Sequence, residues 1–301
     1  VLRWHRPLML FAGTMAACAL VFLVLFFADG RQLDGLPLWA KPLKFSISLA
    51  LYSFTWAWLL SLRHRARRTS WWTGTALAAA GLGEIAIIAF QAARGHRSHF
   101  NQSTDFDGNL WKLMGITIGV LMIANIVGAI LVALERQADR VSTWTVRIGL
   151  LISTIGLAAG ALMLGPKPGQ NLDIAVGAHT VGLPDGGPGL PLLGWSSAGG
   201  DLRIPHFVGM HALQLLPLLG LALAALGRRV PALADETVRL RLVGVAGGLY
   251  AGIVALTLWQ AERGQPLIHP DAATLATAAL LVVAALVAAA VSLGKKKVTV
   301  P

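Results

Sequence analysis

Of 301 residues only one, Cys18, is a cysteine. An internal disulfide, a CxxC redox pair and a cysteine-built zinc or iron–sulfur centre are therefore excluded. Charge is nearly as scarce. Charged residues make up 13% of the chain, where an average soluble protein carries about 25%. That scarcity excludes a soluble enzyme, a disordered chain, a coiled coil and a collagen-like fibre. The sequence also lacks HExxH and HxH motifs, a linker between two soluble domains and an internal repeat. Hydrophobic residues reach 55%, and mean hydropathy is +0.66.

A helix needs about 20 mostly apolar residues to cross the hydrocarbon core of a bilayer. Eight runs qualify: 7–28, 39–62, 71–93, 109–134, 142–164, 205–227, 237–258 and 272–294. The expected fold is all-α, a polytopic bundle of eight transmembrane helices, with residues 1–301 forming one integral membrane domain. The first run follows Arg3 and Arg6 as a signal peptide would, but its length and uniform apolarity read as a retained span.

The charges sort by loop. Segments 1–6, 63–70, 135–147, 228–241 and 295–301 hold 16 of the 25 basic residues, Lys295, Lys296 and Lys297 among them, and 4 acids. The remaining loops and span ends hold 9 basic residues and 10 acids, so the net charge of +11 divides into +12 on one side and −1 on the other. The positive-inside rule then places both termini in the cytoplasm. It leaves four outer loops, 29–38, 94–108, 165–204 and 259–271. The sorting also accounts for the pI of 10.8. Basic residues in short loops beside spans set orientation and attract anionic lipid, so the bilayer, and not nucleic acid, is the partner they imply.

Loop 165–204 is far longer than the others and rich in Gly, Pro, Asp, Ser and Trp. Such a loop is functional or disordered. Leu190, Leu192, Leu193 and Trp195 suit a folded segment, and Pro184-Asp185-Gly186-Gly187-Pro188-Gly189 suits a tight reversal. It is expected to cap the outer ends of spans two, three and six. The glycines Gly244, Gly248 and Gly252 in span seven, and Gly156 and Gly160 in span five, read as close helix packing.

Polar residues gather in the outward halves of the spans, with Asn125 in span four the main exception. In span two, Lys41, Lys44, Ser48 and Tyr52 fall on one helical stripe. Glu84, Gln91 and Arg94 follow in span three, then His96, His99, Asp105, Asp107 and Lys112, and span six opens with Asp201, Arg203, His206, His211 and Gln214. Glu84 lies roughly 14 Å below the outer end of span three, and Lys44 and His211 roughly 8 Å below theirs. Lys44 can reach the interface by snorkelling. Glu84 cannot, and a mid-membrane carboxylate is a functional candidate by default. Asp107-Gly108 reads as a turn before span four, and His179 and His269 read as solvated loop residues; His5 and His64, in basic segments, are given no role.

Glu84, Gln91, Arg94, His99, His206, His211 and Lys44 are expected to converge on one polar cavity open to the outer face, with spans two, three and six in contact. The catalytic candidates are Glu84, His99 and His211. Lys41, Lys44, Gln91, Arg94, Arg203 and Gln214 are candidates for binding substrate. Imidazole ligates zinc, copper and haem iron, so His99, His206 and His211 form a candidate site for zinc or another divalent metal. His206 and His211, five apart, diverge on a regular helix unless the start of span six is irregular.

The phrases "KPLKFSIS", "QAARGHRSHFN", "AHTVGLPDGGPGLP" and "GDLRIPHFVGMHALQLLP", covering 41–48, 91–101 and 178–217, resemble a family of bacterial multi-pass membrane proteins without an established activity. The resemblance implies a bacterial inner-membrane location. The ingredients are also similar to those of the alkaline-ceramidase superfamily of intramembrane zinc hydrolases, which use Ser, Asp and three His. Here Ser98-His99 stands alone, and a pair of His one helical turn apart is missing.

Three functions fit. The favoured one is an intramembrane enzyme, possible as a metal-dependent hydrolase, acting on a lipid-like or amphipathic substrate whose anionic headgroup meets Lys44, Arg94 and Arg203. The second is a redox protein binding haem or a quinone, against which stands the lack of two His on one helix spaced to reach both leaflets. The third is a transporter or receptor for a small anion, against which stand the sparse polar residues of the inward halves.

Overall fold

The computed structural model describes residues 4–168 and 170–294. Arg3 and the Lys295–Lys297 cluster, which carry part of the charge asymmetry, lie outside the described residues. Among the described residues nine α-helices form the bundle: α1 Arg6–Ala28, α2 Ala40–Ser61, α3 Arg67–Arg94, α4 Asp105–Ala133, α5 Arg140–Ala159, α6 Arg203–Met210, α7 Ala212–Leu226, α8 Glu236–Glu262 and α9 Ala272–Gly294. A 3-10 turn, Gly160–Met163, extends α5, and α6 and α7 together make one span, so eight helical units are long and apolar enough to cross a membrane. Each coincides with one of the eight apolar runs.

Local chemistry fixes the helix starts. Thr104 Oγ1 accepts the Asp107 amide at α4, Asp139 accepts the Ser142 amide at α5 and Asp235 accepts the Thr237 amide at α8. Each satisfies one of the amides that a helix N-terminus leaves open. Large apolar side chains such as Leu20, Phe27, Ile116, Leu151, Leu218 and Leu286 are exposed along the helix flanks. A soluble monomer does not carry apolar surface on that scale, whereas a bilayer covers it, and the chain is read as a multi-pass membrane protein.

The helices pack in two groups. In the first, α1 lies along α2, α2 along α3, and α3 along α4. In the second, α5 packs on α6, α7 and α8, and α9 packs chiefly on α8. The groups meet chiefly where α4 touches α5. The expected cluster of spans two, three and six is thereby corrected. Span six belongs to the second group, and the contact it makes with α2 that carries a hydrogen bond is Gln214 Nε2 to Thr55 Oγ1, at 3.3 Å. The space between the groups is the cavity described below.

The two ends of the bundle differ. At one end the loops after α2, α4 and α7 interlock. Arg63 pairs with Glu135 at 3.2 Å and donates to the Leu131 carbonyl, and the Arg140 amide donates to Glu236 at 3.0 Å. At the other end stand two small antiparallel ribbons, β1 Gln32–Leu33 with β2 Leu36–Pro37 and β3 Thr180–Val181 with β4 Gly200–Asp201. Arg97 forks onto Asp34 there, joining the loop after α3 to the β1–β2 turn.

The 165–204 segment folds over this second end through polar bonds more than apolar burial. Gln170 ties the Gly177 amide and carbonyl at 3.1 and 2.7 Å, and Asp201 accepts the Ser196 amide at 2.7 Å. The Val176 amide donates to the Phe100 carbonyl and the Gln102 amide to the Ile174 carbonyl. Leu192 and Leu193, whose apolarity suited a folded segment, are exposed.

Candidate functional site

A cavity of about 390 Å³ opens between the two helix groups beneath the 165–204 segment. That is within the usual range for small-molecule sites, about 300–1,000 Å³. Its walls are largely apolar, with Phe45, Leu49, Trp111, Met114, Ile118, Leu121, Phe207 and Met210 among them. The polar residues facing it include Lys41, Ser48, Tyr52, Glu84, His99, His179, Asp185, Arg203, His206, His211 and Gln214, with Asp34, Thr180 and Ser196 at the cap.

Helix α2 supplies Lys41, Phe45, Ser48 and Tyr52, which share a stripe because offsets of four, seven and eleven residues come within about 40° of whole turns. Among the described residues no carboxylate lies within ion-pair distance of the Lys41 ammonium, whereas Arg203 is held by Asp201, Nη2 to Oδ2 at 2.6 Å. Asp201 is fully buried and also accepts the Arg203 amide at 3.0 Å, so the guanidinium is fixed in place. The cavity mouth thus carries one paired and one unpaired cation.

His99 packs among Phe45, Phe100 and Trp111, with Nδ1 3.0 Å from Ser98 Oγ. Burial holds this imidazole well below the ordinary histidine value, and the nearby Lys41 and His179 act in the same direction. His179, expected to be a solvated loop residue, instead faces the cavity from the loop position just before β3, with Nδ1 2.7 Å from Asp185 Oδ2. Asp185 also accepts the backbone amides of His179 and Thr180, at 3.1 and 2.9 Å. Burial lowers His179 despite the carboxylate beside it. Burial alone would raise Asp185, but the His179 hydrogen bond and the two backbone donors outweigh it and hold the carboxyl below the usual carboxylate range.

His206 and His211 both line the cavity because span six breaks at His211, which ends α6 and begins α7. The irregular start that five-residue spacing required is present. His206 Nδ1 lies 2.8 Å from the Gly156 carbonyl oxygen. Gly156 and Gly160 make room for it. A Cβ on Gly160 would stand 2.9 Å from His206 Cε1, and one on Gly156 would stand 2.5 Å from Gly209 Cα. In span seven only Gly252 packs as expected, against Leu281; Gly244 and Gly248 meet nothing within 4 Å among the described residues.

Deeper in the cavity, Glu84 is 2% exposed. Thr117 Oγ1 donates to its Oε1, and among the described residues its Oε2 has no partner, nor has the buried Oε1 of Gln214. Tyr52 donates to Asn125 at 2.7 Å, and Asn125 to Thr154 at 3.3 Å, so the main polar exception of the inward halves bridges α2, α4 and α5.

Three expected members of the cavity lie elsewhere. Gln91 and Arg94 turn to Asp107, with Gln91 Nε2 and Arg94 Nη1 each 2.8 Å from its Oδ1. Asp107 sits within the first turn of α4, fully buried in its side chain, rather than in a turn preceding the helix. Lys44 sits roughly 60° around α2 from Lys41 and donates to the Leu193 carbonyl at 2.7 Å. The metal expectation finds no support. Among the described residues no three His, Cys, Asp or Glu side chains form a group that could hold a metal ion. His99, His206 and His211, as placed, do not make a zinc triad.

His179 and Asp185 were missed because they lie six apart in a glycine-rich loop, and only the fold of that loop brings carboxylate and imidazole together. The sole advance signal was Pro184-Asp185-Gly186, a turn that returns the chain on itself.

What the geometry defines is a multi-pass membrane protein with a capped, mostly apolar cavity that bears cations at its mouth and titratable groups along its wall. No family model, no curated protein and no solved structure matches the chain.

Proposed function

We propose that the chain is a protein of the bacterial inner membrane, with both ends in the cytoplasm and the cavity open to the outer face, and that the cavity binds a lipid-like or amphipathic anion. Segments 63–70, 135–147 and 228–241, around the loops after α2, α4 and α7, hold 11 of the 25 basic residues against 4 acids, which supports this orientation. The single observation that carries the ligand class is Lys41. It stands in an apolar cavity with no carboxylate partner, while Asp34, Asp185 and Asp201 nearby are each occupied by another residue. A lone ammonium in low dielectric attracts an anion far more strongly than one in water. Arg203 adds a second positive group, and the aromatic and aliphatic walls receive the apolar body.

The enzymatic form of this reading, turnover of that ligand inside the membrane, rests on His99, His211 and Glu84 standing in the same cavity. It is an acid–base form without a metal.

Octanesulfonate and octyltrimethylammonium test the ligand class, because they share a chain and differ in charge. With the purified protein in a neutral detergent, octanesulfonate should raise the unfolding temperature and the cation should not. A ligand at 100 times its Kd stabilises by about 2.7 kcal/mol. Lys41→Met should remove most of the rise. Equal shifts from both probes would refute the anion site.

A further inference from the structure

Two imidazoles in the cavity have their tautomers set by fixed partners. The Gly156 carbonyl can only accept, so His206 Nδ1 donates to it and Nε2 carries the lone pair. Asp185, fastened by the backbone amides of His179 and Thr180, does the same for His179. His179 differs from the other cavity histidines in what it leans on. Its partner is a carboxylate, that of His206 is a carbonyl and that of His99 is the Ser98 hydroxyl. Only a carboxylate gains substantially in attraction when the ring becomes imidazolium.

The groups around His179 come from every side. Asp185 stands beside it on the cap, Lys41 on α2, Arg203 and His206 on α6, and His99 on the loop after α3. Without a ligand, burial above all, and the two cations after it, hold the ring below its ordinary value against the pull of Asp185. An anion placed against Lys41 and Arg203 cancels the cations' effect and leaves Asp185 as the dominant neighbour.

We propose that His179, held by Asp185, is the proton acceptor of the cavity and takes up one proton from solvent as the amphipathic anion binds. This rests on the anion-binding reading above. The balance is simple: one anion and one proton enter, and the imidazole becomes imidazolium between the bound anion and Asp185. Proton and anion then enter as a neutral pair, which suits a site in low dielectric. The same group would serve an acid–base reaction on the ligand.

The test uses octanesulfonate, which stays ionised throughout the working pH range, so any proton taken up belongs to the protein. Titration calorimetry of the full chain at pH 7, in two buffers of different ionisation enthalpy, should report uptake of about one proton per probe bound. Affinity should fall as pH rises, by up to about tenfold per unit. In His179→Gln the uptake should vanish while some binding remains, and in His206→Gln it should persist. Nitrogen NMR of histidine-labelled wild-type protein gives a readout independent of any variant. One imidazole should pass from a neutral, singly protonated ring to a doubly protonated one on adding the probe. Binding without proton uptake, uptake that survives in His179→Gln, or an unchanged imidazole spectrum would each overturn the proposal and leave the anion site standing. Failure of octanesulfonate to bind would sink both.

Discussion

The carbonyl oxygen of Gly156 lies 2.8 Å from Nδ1 of His206, and the same glycine touches Gly209 backbone to backbone. Two small residues thus set the distance between α5 and α6 and the tautomer of a cavity histidine together. The two glycines one turn apart predict different outcomes. In Gly156→Ala the new Cβ meets backbone, which cannot swing aside, so the helices must part. Overpacking of this kind costs about 1–3 kcal/mol, and the unfolding temperature should fall. In Gly160→Ala the Cβ meets the His206 ring at 2.9 Å, which can rotate away. That variant should unfold near the wild-type temperature and show an altered His206 imidazole signal. Equal losses of stability in the two would contradict this division.

The fastening of the cap by His179 and Asp185 makes it sensitive to acid. His179 sits below its ordinary value of 6.5 when folded, so the unfolded cap takes a proton first as pH falls. Its stabilising share is complete above 6.5 and declines below it. Asp185 sits below its ordinary 3.8, so its share is complete above 3.8 and is lost further down. Both act in one direction. Hydrogen exchange at the His179 and Thr180 amides, which donate to Asp185, should accelerate between pH 6.5 and 3.8 beyond its intrinsic pH dependence. Protection that grows on acidification would contradict the pairing.

The eight spans were legible because a bilayer demands length and apolarity, and both can be counted along one chain. The cavity stripe of α2 was legible in part for the same reason of period. Lys41, Ser48 and Tyr52 face inward together, but Lys44 lies on the flank, where a lysine can as well bond the cap. Helix neighbours were not legible. Gln91 and Glu84 share a face of α3, yet Gln91 lies high enough to meet Asp107 across the α3–α4 contact, while Glu84 lies where the two groups diverge. Position along α3 gives the two depths, but nothing in α3 alone tells which neighbour each side chain meets. The irregularity at His211 was stated as a requirement and could not be located, because it depends on how α6 seats against α5.

The Asp107 cluster provides a control for the cavity. Its carboxylate receives Gln91, Arg94 and Thr104 together and its side chain is fully buried, whereas Arg94 is 31% exposed. Removing one member of a buried charged network costs about 3–5 kcal/mol, and the partial hydration of Arg94 moves the loss toward the lower end. Asp107→Ala should therefore lower the unfolding temperature markedly. Octanesulfonate affinity, measured well below that temperature, should stay within about twofold, because Asp107 does not face the cavity. A loss of affinity as large as that of Lys41→Met would place Asp107 in the ligand site.

The side of the membrane on which the cavity opens is open to direct measurement. The loops holding Arg63, Arg136 and Arg228 lie at the end of the bundle away from the 165–204 segment, where Arg63 meets Glu135 and the Arg140 amide meets Glu236. Translocating clustered basic residues is disfavoured, and the bias operates on short loops, which these are. The cavity end carries mutually neutralising pairs instead, Arg97 with Asp34 and Arg203 with Asp201. With Cys18 replaced by Ala to remove the native thiol, Ser103→Cys in the exposed loop after α3 and Arg65→Cys in the exposed loop after α2 report on opposite ends. A membrane-impermeant maleimide should label the first in intact cells and the second only after permeabilisation. The reverse pattern would turn the cavity toward the cytoplasm, and its anion would then have to come from inside the cell.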